Sequence, residues 1–186
     1  MRSIYARVGT MPAGALAVSY VLDADLDRLT IPPPRPARMA DQLWQHTCFE
    51  LFVRCAGSSA YHEFNFAPSG EWAAYAFNAY REGVPLADAT LDPRVTVRSS
   101  PGKLEVDAVM RLDSLSFMRA RSSLSVAVSA VIEDCDGGLS YWALAHPAGK
   151  PDFHHADSFA LELTHVLSNG IVAPATPVSP FCSWGR

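Results

Sequence analysis

The stretch "YHEFNFAPSGEWAAYAF", residues 61–77, decides the fold because it contains two strand patterns and the turn between them. Aromatic and polar residues alternate on both sides of Pro68-Ser69-Gly70, and these three residue types favour a tight turn. Successive side chains of a strand point to opposite faces. Parity therefore divides the first arm into a core side and an opposite side: Phe64 and Phe66 against Tyr61, Glu63 and Asn65.

The same period of two recurs along the rest of the chain and predicts further half-buried antiparallel strands. Asp136-Gly137-Gly138 is a second strong turn signal, and Asp113 is suited to cap one short helical turn. Many short strands with few helical turns are typical of an all-β fold, here a jelly-roll-like sandwich of two antiparallel sheets. The segments with this period are "ALAVSYVL" (15–22), "TCFELFVR" (47–54), "KLEVDAVMRL" (103–112) and "SSLSVAVSAVIED" (122–134).

The length of 186 residues predicts a single domain with a full core. We expect a β-sandwich ligand-binding domain over residues 1–167 and a proline-rich tail over residues 168–186, with prolines at 174, 177 and 180.

The net charge of -4 provides no basic surface for nucleic acid or an anionic membrane. No apolar run is long enough to span a bilayer, and no signal peptide is evident, so the expected compartment is the cytoplasm.

Motifs for several kinds of chemistry are missing from the sequence. There is no G-x-S-x-G, no G-x-G-x-x-G and no P-loop, which argues against a serine hydrolase of that type and a nucleotide-dependent enzyme. The four cysteines form no C-x-x-C pair and are expected to be reduced. Adjacent His154 and His155 would point in opposite directions on an extended chain, so no metal site is predicted.

Two kinds of carbohydrate chemistry fit the residues that remain. Glycoside cleavage needs two facing carboxyl groups, and Glu50 and Glu63 lie on neighbouring predicted strands. Sugar binding instead needs exposed aromatic rings for the apolar faces of a pyranose, and carboxylates or amides for its hydroxyl groups. The candidate rings are Trp44, Trp142 and Phe153, and the candidate polar groups, in phase on their strands, are Glu50, Glu63 and Asn65.

Three stretches, taken in order, resemble one known family. "LWQHTCFELFVR" (43–54), the stretch at 61–77 and "LSYWALAHPAGKPDFHHADSFALEL" (139–163) are similar to the DOMON-like group related to family 9 carbohydrate-binding modules. The resemblance covers roughly residues 1–165 and implies a β-sandwich with a non-catalytic ligand pocket. Characterised members hold a sugar ring between two aromatic side chains, and other DOMON proteins bind haem.

The resemblance also implies roles for individual residues. Trp44 matches the first aromatic platform and Glu50 the acid that binds hydroxyls, while Glu63 or Asn65 matches the polar ligand of the next strand. The second platform falls after Trp142, where this chain has Phe153-His154 in place of the tryptophan of the sugar binders. Haem binders of the group use Met and His ligands, for which this chain offers His62, His146 and Met110.

The leading hypothesis is therefore non-catalytic binding of a carbohydrate or sugar-like small molecule, without a cofactor. The site residues are expected to be Trp44, Glu50, Glu63, Asn65, Trp142, Phe153 and His154. The alternatives are a haem-binding DOMON-type module, a glycoside hydrolase that uses Glu50 and Glu63, and an interaction domain without a small ligand.

Overall fold

The structure is a computed structural model that describes residues 3–11, 14–86, 88, 90–91, 93–112, 115, 123–163 and 176–181. Short 3-10 helices at Leu26–Arg28, Leu43–Gln45 and Ala156–Ser158 connect the strands. In the described part of the chain, no helix is long and apolar enough to cross a membrane. The strands are β1 (Ser3–Met11), β2 (Ala15–Asp23), β3 (Cys48–Cys55), β4 (Tyr61–Phe66), β5 (Trp72–Ala79), β6 (Glu82–Pro85), β7 (Arg94–Ser100), β8 (Lys103–Arg111), β9 (Leu124–Glu133), β10 (Leu139–Ala143), β11 (Leu161–Leu163) and β12 (Thr176–Phe181).

The strands form two antiparallel sheets, which confirms the predicted all-β sandwich. The back sheet has the order β1-β2-β8-β7, and the site sheet has the order β6-β5-β4-β3-β9-β10, with β11 also paired to β9. β12 pairs with both β1 and β10 and so joins one edge of each sheet. Part of the segment predicted as a proline-rich tail is thus a strand of the sandwich, whereas the predicted boundary at residue 167 lies outside the described residues.

The core lies between the sheets and contains the residues that parity assigns to it. In β2 the buried positions alternate with partly exposed ones, as they do in β8. Phe64 and Phe66 of β4 are fully buried in the same core. The Tyr20 hydroxyl crosses the core and donates a hydrogen bond of 2.5 Å to the carbonyl oxygen of Glu50, and the Tyr20 ring packs against Phe49. This bond ties the back sheet to the strand that carries Glu50.

Both predicted turns are present and use glycine for the expected reason. Gly70, between β4 and β5, has a φ of 90°, and its amide donates to the Ala67 carbonyl at 2.9 Å. Gly137, between β9 and β10, has a φ of 81°, a conformation that a residue with a Cβ adopts only with strain. The helical turn predicted at Asp113 lies outside the described residues.

Candidate functional site

The central strands of the site sheet are buried on both faces. β3 and β9 lack the alternating burial of β2: almost every residue in them is buried. One face of these strands meets the core, and the outer face lies under a cover made of the Leu43–Gln45 turn and the loop at residues 151–159. The cover leaves one cavity of about 570 Å³ against the sheet, and this cavity is the candidate site.

Aromatic and polar side chains share the wall of the cavity. Such a mixture is typical of small-ligand sites, in which rings supply contact area and a few polar groups set orientation. The aromatic residues of the lining are Trp44, Tyr75, Phe77, Tyr141 and Phe153, and the polar ones are Gln45, Glu50, Glu63, Arg81 and His154.

Glu50 reaches the cavity from the middle of β3. Its neighbours in the ladder are Asn65 of β4 and Ser129 of β9, and the Ser129 hydroxyl donates a 3.0 Å hydrogen bond to Glu50 Oε2. Burial raises the pKa of Glu50 well above its ordinary value, and the nearby charge of Glu63 raises it further. Both effects favour the protonated form of Glu50.

Glu63 lies on β4, the strand next to β3, and its carboxyl is positioned by a residue of the same strand. The side-chain amide of Asn65 donates a 2.8 Å hydrogen bond to Glu63 Oε1. Burial raises the pKa of Glu63 to about 7, although the Asn65 hydrogen bond and the positive charge of Arg81 both oppose that shift. Glu63 therefore changes its protonation state near neutral pH, and it does so beside a second buried acid.

His154 belongs to the cover, and its imidazole contacts β4 of the site sheet. Its Nδ1 lies 2.8 Å from the Tyr61 hydroxyl, and its Nε2 lies 3.8 Å from Glu63 Oε2. Burial, followed by the charge of Arg81, lowers the pKa of His154 to about 4. The imidazole is thus neutral at pH 7, and its approach to Glu63 is not an ion pair under those conditions.

Arg81 links the β5–β6 turn to the cover. Its guanidinium Nη2 lies 2.8 Å from Asp152 Oδ1, and the Tyr80 hydroxyl also donates to Asp152. The Arg81 amide donates to the Tyr61 hydroxyl at 3.1 Å, from a backbone with a φ of 56°. The positive charge at the cavity wall therefore already has a carboxylate partner.

Trp44 lies at the rim of the cavity with 47% of its surface exposed. The preceding Gln42 adopts a left-handed backbone, and its amide donates to Asp41 Oδ1 at 2.8 Å. The Tyr75 hydroxyl donates to the same oxygen at 2.5 Å, which fixes the turn against β5. The structure thus places an accessible indole over a cavity that also contains Glu50 and Glu63.

Two of the predicted site residues, Trp142 and Asn65, lie outside the lining of this cavity. Trp142 is only 5% exposed: its ring packs in the core, and its Nε1 donates to the Ser140 hydroxyl at 3.1 Å. Asn65 is fully buried and acts on Glu63 instead of lining the cavity. Phe153 and His154 both line the cavity, so the position that the resemblance assigned to the second platform holds a phenylalanine and a neutral imidazole.

Sequence reasoning missed several lining residues whose faces follow from parity once the face of a neighbouring residue is known. Tyr141 precedes Trp142 on β10 and therefore points away from the core when Trp142 points into it. Tyr75 pairs with Glu63, and Phe77 pairs with Tyr61, across the hairpin. Strand parity does not apply to Gln45 and Arg81, because Gln45 lies in a 3-10 turn and Arg81 lies in the hairpin turn between β5 and β6.

The side chains considered for haem do not converge on this cavity. Met110 is buried in the core on β8 of the back sheet, whereas His62 stacks with Phe64 at a centroid distance of 6.5 Å on β4. His146 packs against Phe153 near the cover. Among the described residues, no three His, Cys, Asp or Glu side chains are grouped closely enough to hold a metal ion.

Comparison with known proteins gives a likeness of fold. No protein-family model and no curated protein matches the sequence. A candidate carbohydrate-binding protein from Bacteroides uniformis has a similar structure, with a TM-score of 0.50 and 12% identity over 77% of this chain and 69% of that one. A family 9 carbohydrate-binding module from Caldicellulosiruptor kristjanssonii, in complex with glucose, matches with a TM-score of 0.43 and 13% identity over 74% of this chain and 64% of that one. At these identities the comparisons address the fold alone, and the DOMON relationship stays a prediction.

Proposed function

We propose that this protein binds a carbohydrate or sugar-like small molecule in the cavity of the site sheet, without catalysing a reaction on it. The observation that carries the proposal is one cavity that combines the exposed ring of Trp44 with the buried carboxyls of Glu50 and Glu63. The Bacteroides uniformis protein that shares the fold is itself a candidate carbohydrate-binding protein, in agreement with the proposal.

The chemistry of the wall suits a pyranose. The indole of Trp44 offers a flat apolar surface to the C–H face of the ring, and Phe153 and Tyr141 add apolar surface to the same lining. Buried carboxyl groups bind hydroxyls as acceptors when ionised, and as both donors and acceptors when protonated. A cavity of about 570 Å³ is within the usual range for small-molecule sites.

Calorimetric titration with a panel of mono- and disaccharides tests the proposal. We expect a dissociation constant in the micromolar-to-millimolar range, because a small ligand has few contacts to offset its loss of freedom. Trp44→Ala should weaken binding about tenfold or more, since it removes the exposed ring. Tyr5→Ala, which removes a similarly exposed ring from the back sheet, is the matched control and should bind normally. The absence of binding across the panel, or equal binding by both variants, would overturn the proposal.

Glycoside hydrolysis is a second candidate function, favoured by one observation. Glu50 and Glu63 line the same cavity, and the raised pKa of Glu63, about 7, is suited to a general acid. Incubation with aryl glycosides, followed by measurement of the released phenol, separates the two functions. Non-catalytic binding predicts no release by the wild-type protein. Release that Glu63→Gln abolishes, while sugar binding is retained, would replace the leading proposal with this one.

A further inference from the structure

The described lining of the cavity has more acidic than basic side chains. Two acids, Glu50 and Glu63, face one permanent cation, Arg81, in the described lining. Arg81 is already paired with Asp152 at 2.8 Å, and the neighbouring His154 is uncharged at neutral pH. The acid pair therefore has no cation of its own among the described residues of the wall.

The hydrogen bonds described for the acid pair come from neutral donors. Ser129 donates its hydroxyl to Glu50 at 3.0 Å, and Asn65 donates its amide to Glu63 at 2.8 Å. Both acids are almost fully buried, at 3% and 4% exposure. Placing two carboxyls in such a position is costly unless a positive charge accompanies them when they ionise. A cationic ligand would supply that charge and favour the ionised forms.

The remaining walls are also suited to a cation. The rings of Tyr75, Phe77 and Trp44 line the same cavity as the acid pair. Aromatic faces attract ammonium groups through their quadrupoles, most strongly where water is excluded. Carboxylates and aromatic rings that line one cavity both favour an amine, whereas a neutral hydroxyl benefits from the carboxyl groups alone.

We infer that the ligand of this cavity is a sugar bearing a protonated amine, with the amine at Glu50 and Glu63 and the sugar ring against Trp44. The inference rests on the proposed function, since it assigns the substrate class of the same site. Charge-assisted hydrogen bonds are about twice as strong as neutral ones, so the amine should bind about tenfold more tightly than the hydroxyl it replaces.

Calorimetry with matched sugars tests the inference. Glucosamine and galactosamine are titrated against glucose, galactose and the two N-acetyl derivatives at about pH 6.5, below the pKa of an amine beside electron-withdrawing oxygens. At least one free amine should bind about tenfold more tightly than its hydroxyl parent and its uncharged N-acetyl form. Equal affinity of the amine and the parent overturns the inference and leaves sugar binding intact. Failure of every sugar to bind overturns the proposed function and the inference with it.

Variants locate the preference at the acid pair. Glu63→Gln retains an acceptor for Asn65 and should reduce the affinity for the amino sugar about tenfold, to that of the neutral parent. Glu50→Gln is the second variant and should have the same effect, which keeps the test decisive if the first fails to fold. Glu105→Gln, on the exposed face of the back sheet, is the control and should retain the preference. An unchanged preference in both cavity variants would overturn the assignment.

Discussion

The two outer faces of the sandwich both carry glutamate side chains, but the pKa values of these carboxyls shift in opposite directions. On the back sheet, Glu105 accepts hydrogen bonds from Arg98 at 3.0 Å and from Lys103 at 2.8 Å, in contact with solvent. These hydrogen bonds from Lys103 and Arg98 lower the pKa of Glu105. On the site sheet, Glu50 and Glu63 are buried under the cover, and burial raises the pKa of both.

The difference shows that a polar position on a strand does not become a site by its chemistry alone. Both faces are generated by the same alternation of residues, and both present carboxylates in register with neighbouring strands. On the back sheet the charges are neutralised by basic residues of the same sheet and remain hydrated. On the site sheet the cover leaves Glu50 and Glu63 only 3% and 4% exposed, with neutral hydrogen-bond donors in Ser129 and Asn65. Burial therefore disfavours the ionised forms of these two acids, which it does not do on the back sheet.

The largest expected effect comes from removing the packing that anchors the cover. Phe159→Ala should lower the free energy of unfolding by about 4 kcal/mol, because the ring packs edge-on against Phe52 and Tyr61 in a small cluster of its own. Tyr5→Ala on the back sheet should cost far less, since that ring is 43% exposed. Urea unfolding of the two variants measures both values. Equal losses would show that the cover is not packed against the site sheet as described.

A smaller effect is expected in the pH dependence of stability. The pKa of Glu63 is raised from 4.5 to about 7 on folding, so its contribution is fully present below pH 4.5 and is lost as the pH rises to about 7. The loss amounts to at most about 3 kcal/mol. Glu63→Gln should remove the part of the decline that Glu63 contributes, while Glu50 retains its own, and the variant should be more stable than the wild-type protein at pH 8.

Glu105→Gln is the matched control for that experiment and should behave with the opposite sign. The lowered pKa of Glu105 contributes stability above its unfolded pKa, which is lost as the pH falls through the folded value. The variant should therefore lose a small amount of stability at neutral pH and none in acid. Chemical denaturation at several pH values between about 3 and 8 records both curves. The comparison is made between wild type and Glu63→Gln, because the lowered pKa of His154 gives both proteins a contribution of opposite sign over this range. Parallel curves for the two proteins from pH 4.5 to pH 7 would contradict the buried, proton-binding state of Glu63.

The smallest effect concerns the link between Arg81 and Asp152. Arg81→Met should cost less than about 1 kcal/mol, because the arginine side chain is about half exposed. The same change should raise the pKa of Glu63, since the charge of Arg81 lowers it in the wild-type protein. Carboxyl-carbon NMR titration measures that pKa, with Arg98→Met as the control on the back sheet. A Glu63 pKa that responds equally to both variants would mean that Arg81 does not act locally at the cavity.

Much of the architecture could be predicted from local patterns. The alternation in β2, β4 and β8 predicted both the strands and their buried faces, because a strand has only two faces and one of them must meet the core. The Pro68-Ser69-Gly70 and Asp136-Gly137-Gly138 turns followed from the backbone freedom of glycine. The proline-rich C-terminal segment was harder, since β12 derives its hydrogen bonds from two strands that are distant in sequence.

The orientation of β10 shows where local patterns stopped being informative. Tyr141 and Trp142 are adjacent aromatic residues, and either ring could have faced the core. The structure buries Trp142, whose indole N–H is satisfied by Ser140 within the strand, and turns Tyr141 toward the cavity. The choice depends on the space between the sheets, which the sequence of one strand does not report.

The sequence by itself determined the all-β class, the main turns and the side of each strand on which Glu50 and Glu63 lie, because these depend on parity and on residues close in the chain. Only the tertiary structure decided that both carboxyls are buried, that an exposed Trp44 lines the same cavity, and that Arg81 is paired with Asp152. Those features arise where the Leu43–Gln45 turn and the loop at residues 151–159 fold over the sheet. Burial of a charge depends on what covers it, and here one of the covering segments, the loop at residues 151–159, is remote in sequence from the carboxyls it encloses.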